Sequence, residues 1–205
     1  VKELKEDKRI SAERVRGADM LREKLIRARR KGDLDAEQAG LALWLIDKNP
    51  ALADDLSLSI RKPYPFDPEA AGVYLPLPRI VRLFKGDANP ATAVHEILHH
   101  TERMMPIGVK SGIRRAWASA LTRELKNANP EQAALLQKML NREKGASKEI
   151  TKAFKDGVLD RSQHYQFVNP SEFWAVNGSR ILSGRYEVKG NWVGAAKQWI
   201  AEFIQ

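Results

Sequence analysis

Along the first fifty residues, apolar positions recur at helical spacing. Val15, Ala18, Leu21, Leu25 and Ala28 form one stripe with arginines on the other faces, predicting an amphipathic helix over about 11–30 that Gly32 ends. Asp33 or Asp35 then caps a second helix, whose apolar stretch Leu41 to Ile46 is broad enough to be buried on several sides, and Asn49-Pro50 closes it. Prolines at 63, 65, 68, 76 and 78 break the pattern. Proline fixes φ and removes a ladder donor, so this stretch reads as loop and edge strand, with Val73 to Leu75 and Ile80 to Phe84 the best strand candidates. A turn at Lys85-Gly86-Asp87 precedes Asn89-Pro90, a cap followed by proline at the first helical position, which predicts a helix over about 90–103. Three more helices follow at roughly 111–128, 130–144 and 147–156, punctuated by Asn129-Pro130 and Gly145. His164 to Val168 reads as extended, a helix starts again at Asn169-Pro170 and runs to about 182, and Asn191 opens a last one with Trp192, Ala195, Trp199 and Phe203 on its apolar side. The pattern is that of an α+β chain, mainly α, with a small sheet.

Composition narrows the options. A length of 205 residues suffices for one sizeable domain with its own core, and we divide it into a basic helical subregion over 1–60 and a main domain over 61–205. No apolar run approaches the roughly 20 residues that span a bilayer, so no membrane span is expected. With no cysteine, a disulfide framework and a thiolate metal site are both excluded, and any metal must be held by His and carboxylate. The start, VKELKEDKRI, is too charged for a secretory signal, and a chain beginning at Val1 is expected to be part of something longer. The expectation is a soluble chain, cytoplasmic or delivered into a target cell within a larger protein, with the compartment left open.

The net charge of +9 is uneven: residues 1–31 hold twelve Lys or Arg against six Asp or Glu. Such an arm can meet an acidic partner or nucleic acid. Interleaved acids and the lack of a stacking aromatic fit a solvated helix face instead.

The chemistry concentrates in Ala93-Val94-His95-Glu96-Ile97-Leu98-His99-His100, where three of the chain's four histidines fall. Two histidines four apart on a helix lie about 40° apart around its axis and one turn along it, so both imidazoles can reach one ion at roughly 2.0–2.1 Å. Glu96, beside the first of them, is placed to act as general base on a water that zinc acidifies. The ordinary alternative is a buried amphipathic helix with incidental histidines. A further histidine or an aspartate six residues after His99 is ruled out, because that position is Met105, so a third ligand must come from farther along.

Glu172, in Asn169-Pro170-Ser171-Glu172-Phe173-Trp174-Ala175, is the best candidate for it. A carboxylate in the first turn is also favoured by the helix N-terminus, so a capping acid is the competing reading. Its apolar neighbours make an acid there easier to understand if it meets a cation. Tyr165 or His164 could donate a hydrogen bond to the oxyanion formed during peptide hydrolysis. Equally, Tyr165 could be a core residue pointing inward with Phe167.

These motifs resemble the gluzincin metallopeptidases, the group of anthrax lethal factor and of related domains in bacterial toxins and in phage and mobile-element proteins. The matching parts are Leu83-Phe84, Asn89 to Met105 around HEILHH, and Tyr165 with Asn169 to Ala175, roughly half the chain. The resemblance implies a zincin-like metallopeptidase domain over 61–205 with one zinc ion held by His95, His99 and Glu172. It further implies Glu96 as base, Tyr165 as the oxyanion donor, a protein or peptide substrate, and an edge strand within Val73 to Phe84 that aligns substrate by strand addition. Where relatives often carry a second acid four residues after the ligand, this chain has Val176. A carboxylate orienting a ligating imidazole would then be missing, or its part supplied by Asp156, Asp160 or Asn177. His100 is expected at the polar surface or beside the ligands, since it points about 100° away from His99. Two other function classes stay in view: a catalytically silent zinc scaffold, and a basic module that binds protein or nucleic acid without metal.

Overall fold

The computed structural model describes residues 17–183 apart from 55, 62–71, 78 and 85–91, together with 193–194 and 197–198. These residues fall into two compact units, one running to Arg103 and one beginning at Met104. The expected class holds: a mainly helical fold with a small three-stranded sheet and an HExxH helix arranged as in zincins. Among the described residues, no helix is long and apolar enough to cross a membrane.

The first unit contains α1 (Ala18–Arg30), α2 (Ala36–Lys48), a 3-10 turn at Pro50–Ala53, β1 (Ser57–Arg61), β2 (Gly72–Leu75), β3 (Ile80–Phe84) and α3 (Thr92–Thr101). Between the first two helices, Gly32 takes φ 71, a left-handed value that glycine adopts without strain. Asp35 then caps α2, its Oδ1 accepting from the Glu37 amide at 2.8 Å. On α1, Arg22 pairs with Asp19 and Asp47 and Arg27 pairs with Glu23, so part of the basic charge is met within the unit.

The sheet order is β1-β3-β2, with β1 parallel and β2 antiparallel to β3. Its register puts Leu58, Val81, Leu83, Gly72 and Tyr74 on one face. On that face Leu58, Val81 and Leu83 enclose an apolar core with Leu21 and Leu25 of α1, Ala42 and Ile46 of α2, and Ala93 and Ile97 of α3. Each large aliphatic side chain buried in this way contributes about 1.5–3 kcal/mol. Helix α3 is thereby fixed to the sheet.

β2 and β3 lie where the proline pattern left room for strands. β1 was not anticipated, and its Ser57 and Ser59 interrupt the apolar run Leu56-Ser57-Leu58-Ser59-Ile60. Both serines are in fact buried, on the opposite face from Leu58. The predicted turn at 85–87, the Asn89-Pro90 cap and most of the helix from Asn191 lie outside the described residues.

The second unit is helical: α4 (Ile107–Leu125), α5 (Pro130–Asn141), α6 (Ala146–Lys155), a single turn α7 (Arg161–His164), a 3-10 turn at Tyr165–Phe167 and α8 (Pro170–Ser183). Asn129 and Gln132 form a reciprocal capping box at the start of α5. Gly145, at φ 86, lets the chain reverse into α6. The Trp117 indole donates to the Phe167 carbonyl at 3.0 Å, tying α4 to the 3-10 turn.

The extended segment expected at His164 to Val168 is instead helical. Asp160 starts the turn by accepting from both the amide and the hydroxyl of Ser162 at 2.7 Å. His164 and Phe167, three residues apart, are the buried pair, while Tyr165 is half-buried. A spacing of three places two side chains on one side of a helical turn, and it overrode the alternation that suggested a strand.

Candidate metal centre

Helix α3 is buried almost all round. Of its ten residues only His95 and His99 are not, so the two positions with access to solvent are the two histidines expected to face an ion. Their Nε2 atoms lie 3.2 Å apart, with the rings nearly perpendicular at 82°. Two imidazole nitrogens each about 2.0–2.1 Å from zinc at a tetrahedral angle sit about 3.3–3.4 Å apart. The observed separation fits that donor set. Within their own unit the two imidazoles thus offer a pair of donor atoms that could share one ion.

No family model, curated protein or solved structure matches the chain. The chemistry is therefore read from the residues themselves.

Glu96, next to His95, is only 7% exposed. Its methylene lies against the first residue of β2. A Cβ placed on Gly72 would sit 2.9 Å from Thr92 Cγ2, closer than real side chains approach, and a tight 3.0 Å from Glu96 Cγ. Glycine is thus required by space at this point, not by backbone conformation. One residue pair along, the Tyr74 hydroxyl and His100 Nδ1 are 2.9 Å apart, with the two rings edge to face. His100 is completely buried, so its expected place at the surface is not what the fold gives it. Pointing away from His99 turned it toward the sheet.

His99 Nδ1 lies 3.1 Å from Glu102 Oε1. Glu102 was not anticipated as a partner of the site, and the signal was available as an acid one helical turn after a ligand. The residues considered for that part are engaged elsewhere: Asp156 with Lys152, Asp160 with Ser162, and Asn177 with the Phe173 carbonyl and Gln166.

In the second unit, Asn169 Oδ1 accepts from the Glu172 amide at 2.9 Å, the N-cap expected from Asn169-Pro170. Phe173, Trp174 and Ala175 are buried behind it, and Glu172 itself is half-buried. Tyr165 leans on the Phe154 ring, centroids 6.2 Å apart, and carries the Arg161 guanidinium over its face at 5.3 Å. His164, the other oxyanion candidate, is buried, with Nδ1 3.1 Å from the Asp160 carbonyl and Nε2 3.6 Å from Glu124. Both of its ring nitrogens face groups of its own unit.

Proposed function

We propose that the protein is a zinc-dependent endopeptidase of the gluzincin kind, akin to the lethal-factor group and to toxin, effector and mobile-element peptidase domains. The observation that carries this reading is the convergence of His95 and His99 at a metal-like separation on a helix whose remaining residues are buried, with Glu96 beside them. A purely structural metal site has no use for a base at that position. His95, His99 and Glu172 are the proposed ligands.

When bound, zinc supplies a Lewis acid that polarises a peptide carbonyl and acidifies water. Glu96 takes the proton of the attacking water and returns it to the departing amine. Its burial in contact with the β2 backbone keeps the carboxylate in one place as it does so. Tyr165 donates a hydrogen bond to the oxyanion, and β2, at one edge of the sheet, aligns an extended substrate by strand addition. The substrate class is protein or peptide.

The test is zinc analysis and a peptidase assay on three proteins. Glu96→Gln is expected to keep zinc and lose turnover by about 10²–10⁴-fold, the usual share of general base catalysis. Glu172→Ala is expected to lose most of its zinc. Equal turnover in Glu96→Gln would sink the mechanism, and full zinc in Glu172→Ala would remove that ligand. Tyr165→Phe should keep metal and turn over more slowly.

A further inference from the structure

We infer that Glu102 is a positioning residue for the ligand His99, fixing its tautomer and the direction of its Nε2; the inference rests on the zinc reading above. Nδ1 of His99 is 3.1 Å from Glu102 Oε1. With its proton on Nδ1 and donated to that carboxylate, the imidazole presents a lone pair at Nε2, the atom that converges on His95 Nε2 at 3.2 Å. A carboxylate in this role also makes the ring a stronger donor, and removing such partners weakens metal binding.

The location argues against an incidental surface pair. Glu102 directly follows the last residue of α3, and its amide reaches back to the His99 carbonyl at 3.4 Å. That end of a helix carries unsatisfied carbonyls and partial negative charge, so an acid there is locally disfavoured and needs a partner to offset the cost. One partner it meets is His99, whose side chain is 12% exposed against 31% for Glu102, so the contact is partly shielded from water. Neither Asp156, Asp160 nor Asn177 is free to take this part, as each is held by neighbours in its own unit.

The experiment is zinc affinity by chelator competition, with thermal melting of the metal-free protein, for wild type, His99→Ala, Glu102→Gln and Glu102→Ala. Wild type should bind one zinc and His99→Ala almost none. Glu102→Ala should weaken zinc by about 10–100-fold while the metal-free protein melts close to wild type. Glu102→Gln should lose less, because its amide oxygen still accepts from Nδ1 without the charge. Wild-type affinity in Glu102→Ala, with zinc still lost in His99→Ala, would overturn this inference alone. A large drop in metal-free melting for Glu102→Ala, with Glu102→Gln binding zinc like wild type, would overturn it in favour of a structural role. Failure of wild type itself to bind zinc would overturn the metal reading beneath it.

Discussion

Two glutamates sit at opposite ends of their helices, and the contrast separates two kinds of functional residue. Glu172 lies in the first turn of α8, where the helix favours an acid and Asn169 completes an ordinary cap. Glu102 lies just past the last turn of α3, where the helix disfavours one, yet it is there and in contact with His99. An acid that local structure already explains says little about its task. An acid that local structure opposes must be explained by what it touches. The same distinction runs through the helices: α3 fixes the geometry of His95, His99 and Glu96 within two turns, whereas α8 supplies one side chain whose part depends on residues far away in sequence.

The contrast can be broken most severely at Gly72. Gly72→Ala forces a methyl group into contact with Thr92 and Glu96, and overpacking of this kind costs about 1–3 kcal/mol. If the α3 half is as rigidly built as we describe, denaturant midpoints should fall and turnover should drop more than zinc affinity does. A fully active, fully stable Gly72→Ala protein would show that β2 has room to move. On the α8 side, Asn169→Ala removes the cap above Glu172 and should cost about 1 kcal/mol of stability, read from thermal melting, with little change in His95 or His99. Zinc affinity that fell as much as in Glu172→Ala would mean that the first turn of α8 needs its cap to present the acid. The smallest effect is expected at Asp160, whose hydrogen bonds from the Ser162 hydroxyl and amide hold its carboxyl below the ordinary carboxylate value. A depressed carboxyl contributes stability that is complete above that value and lost as pH falls through the lower, folded one. Acid unfolding of Asp160→Asn should therefore be slightly less steep in that window than that of wild type.

How far the sequence foretold these features follows from the range of the forces involved. The HExxH helix was legible because its information is local: two histidines one turn apart on a helix leave their imidazoles few directions to take. The helices around Asn129-Pro130, Gly145 and Asn169-Pro170 were legible for the same reason, since caps and φ values act over three or four residues. β1 was hidden because serine buried beside a parallel neighbour looks the same in sequence as serine in a loop. The His164 to Phe167 turn was misread because a short alternation fits a strand and a 3-10 turn almost equally. Gly72, Tyr74 and His100 were silent because a hydrogen bond or steric gap between a strand and a helix some twenty residues on leaves no period in the chain. Glu102 was visible in principle, since an acid three residues after a histidine on a helix lies one turn from it.

The β2–β3 hairpin closes over a few residues, with Leu75 opposite Ile80, and α3 follows directly in sequence. Gly72, Tyr74, His95, Glu96, His99, His100 and Glu102 therefore come from one stretch of sequence, 72–102, and contacts so near in sequence form fast compared with distant pairings. In kinetic terms, the pairing of His95 with His99 beside β2 can form early in folding, before β1 joins across its longer separation in sequence.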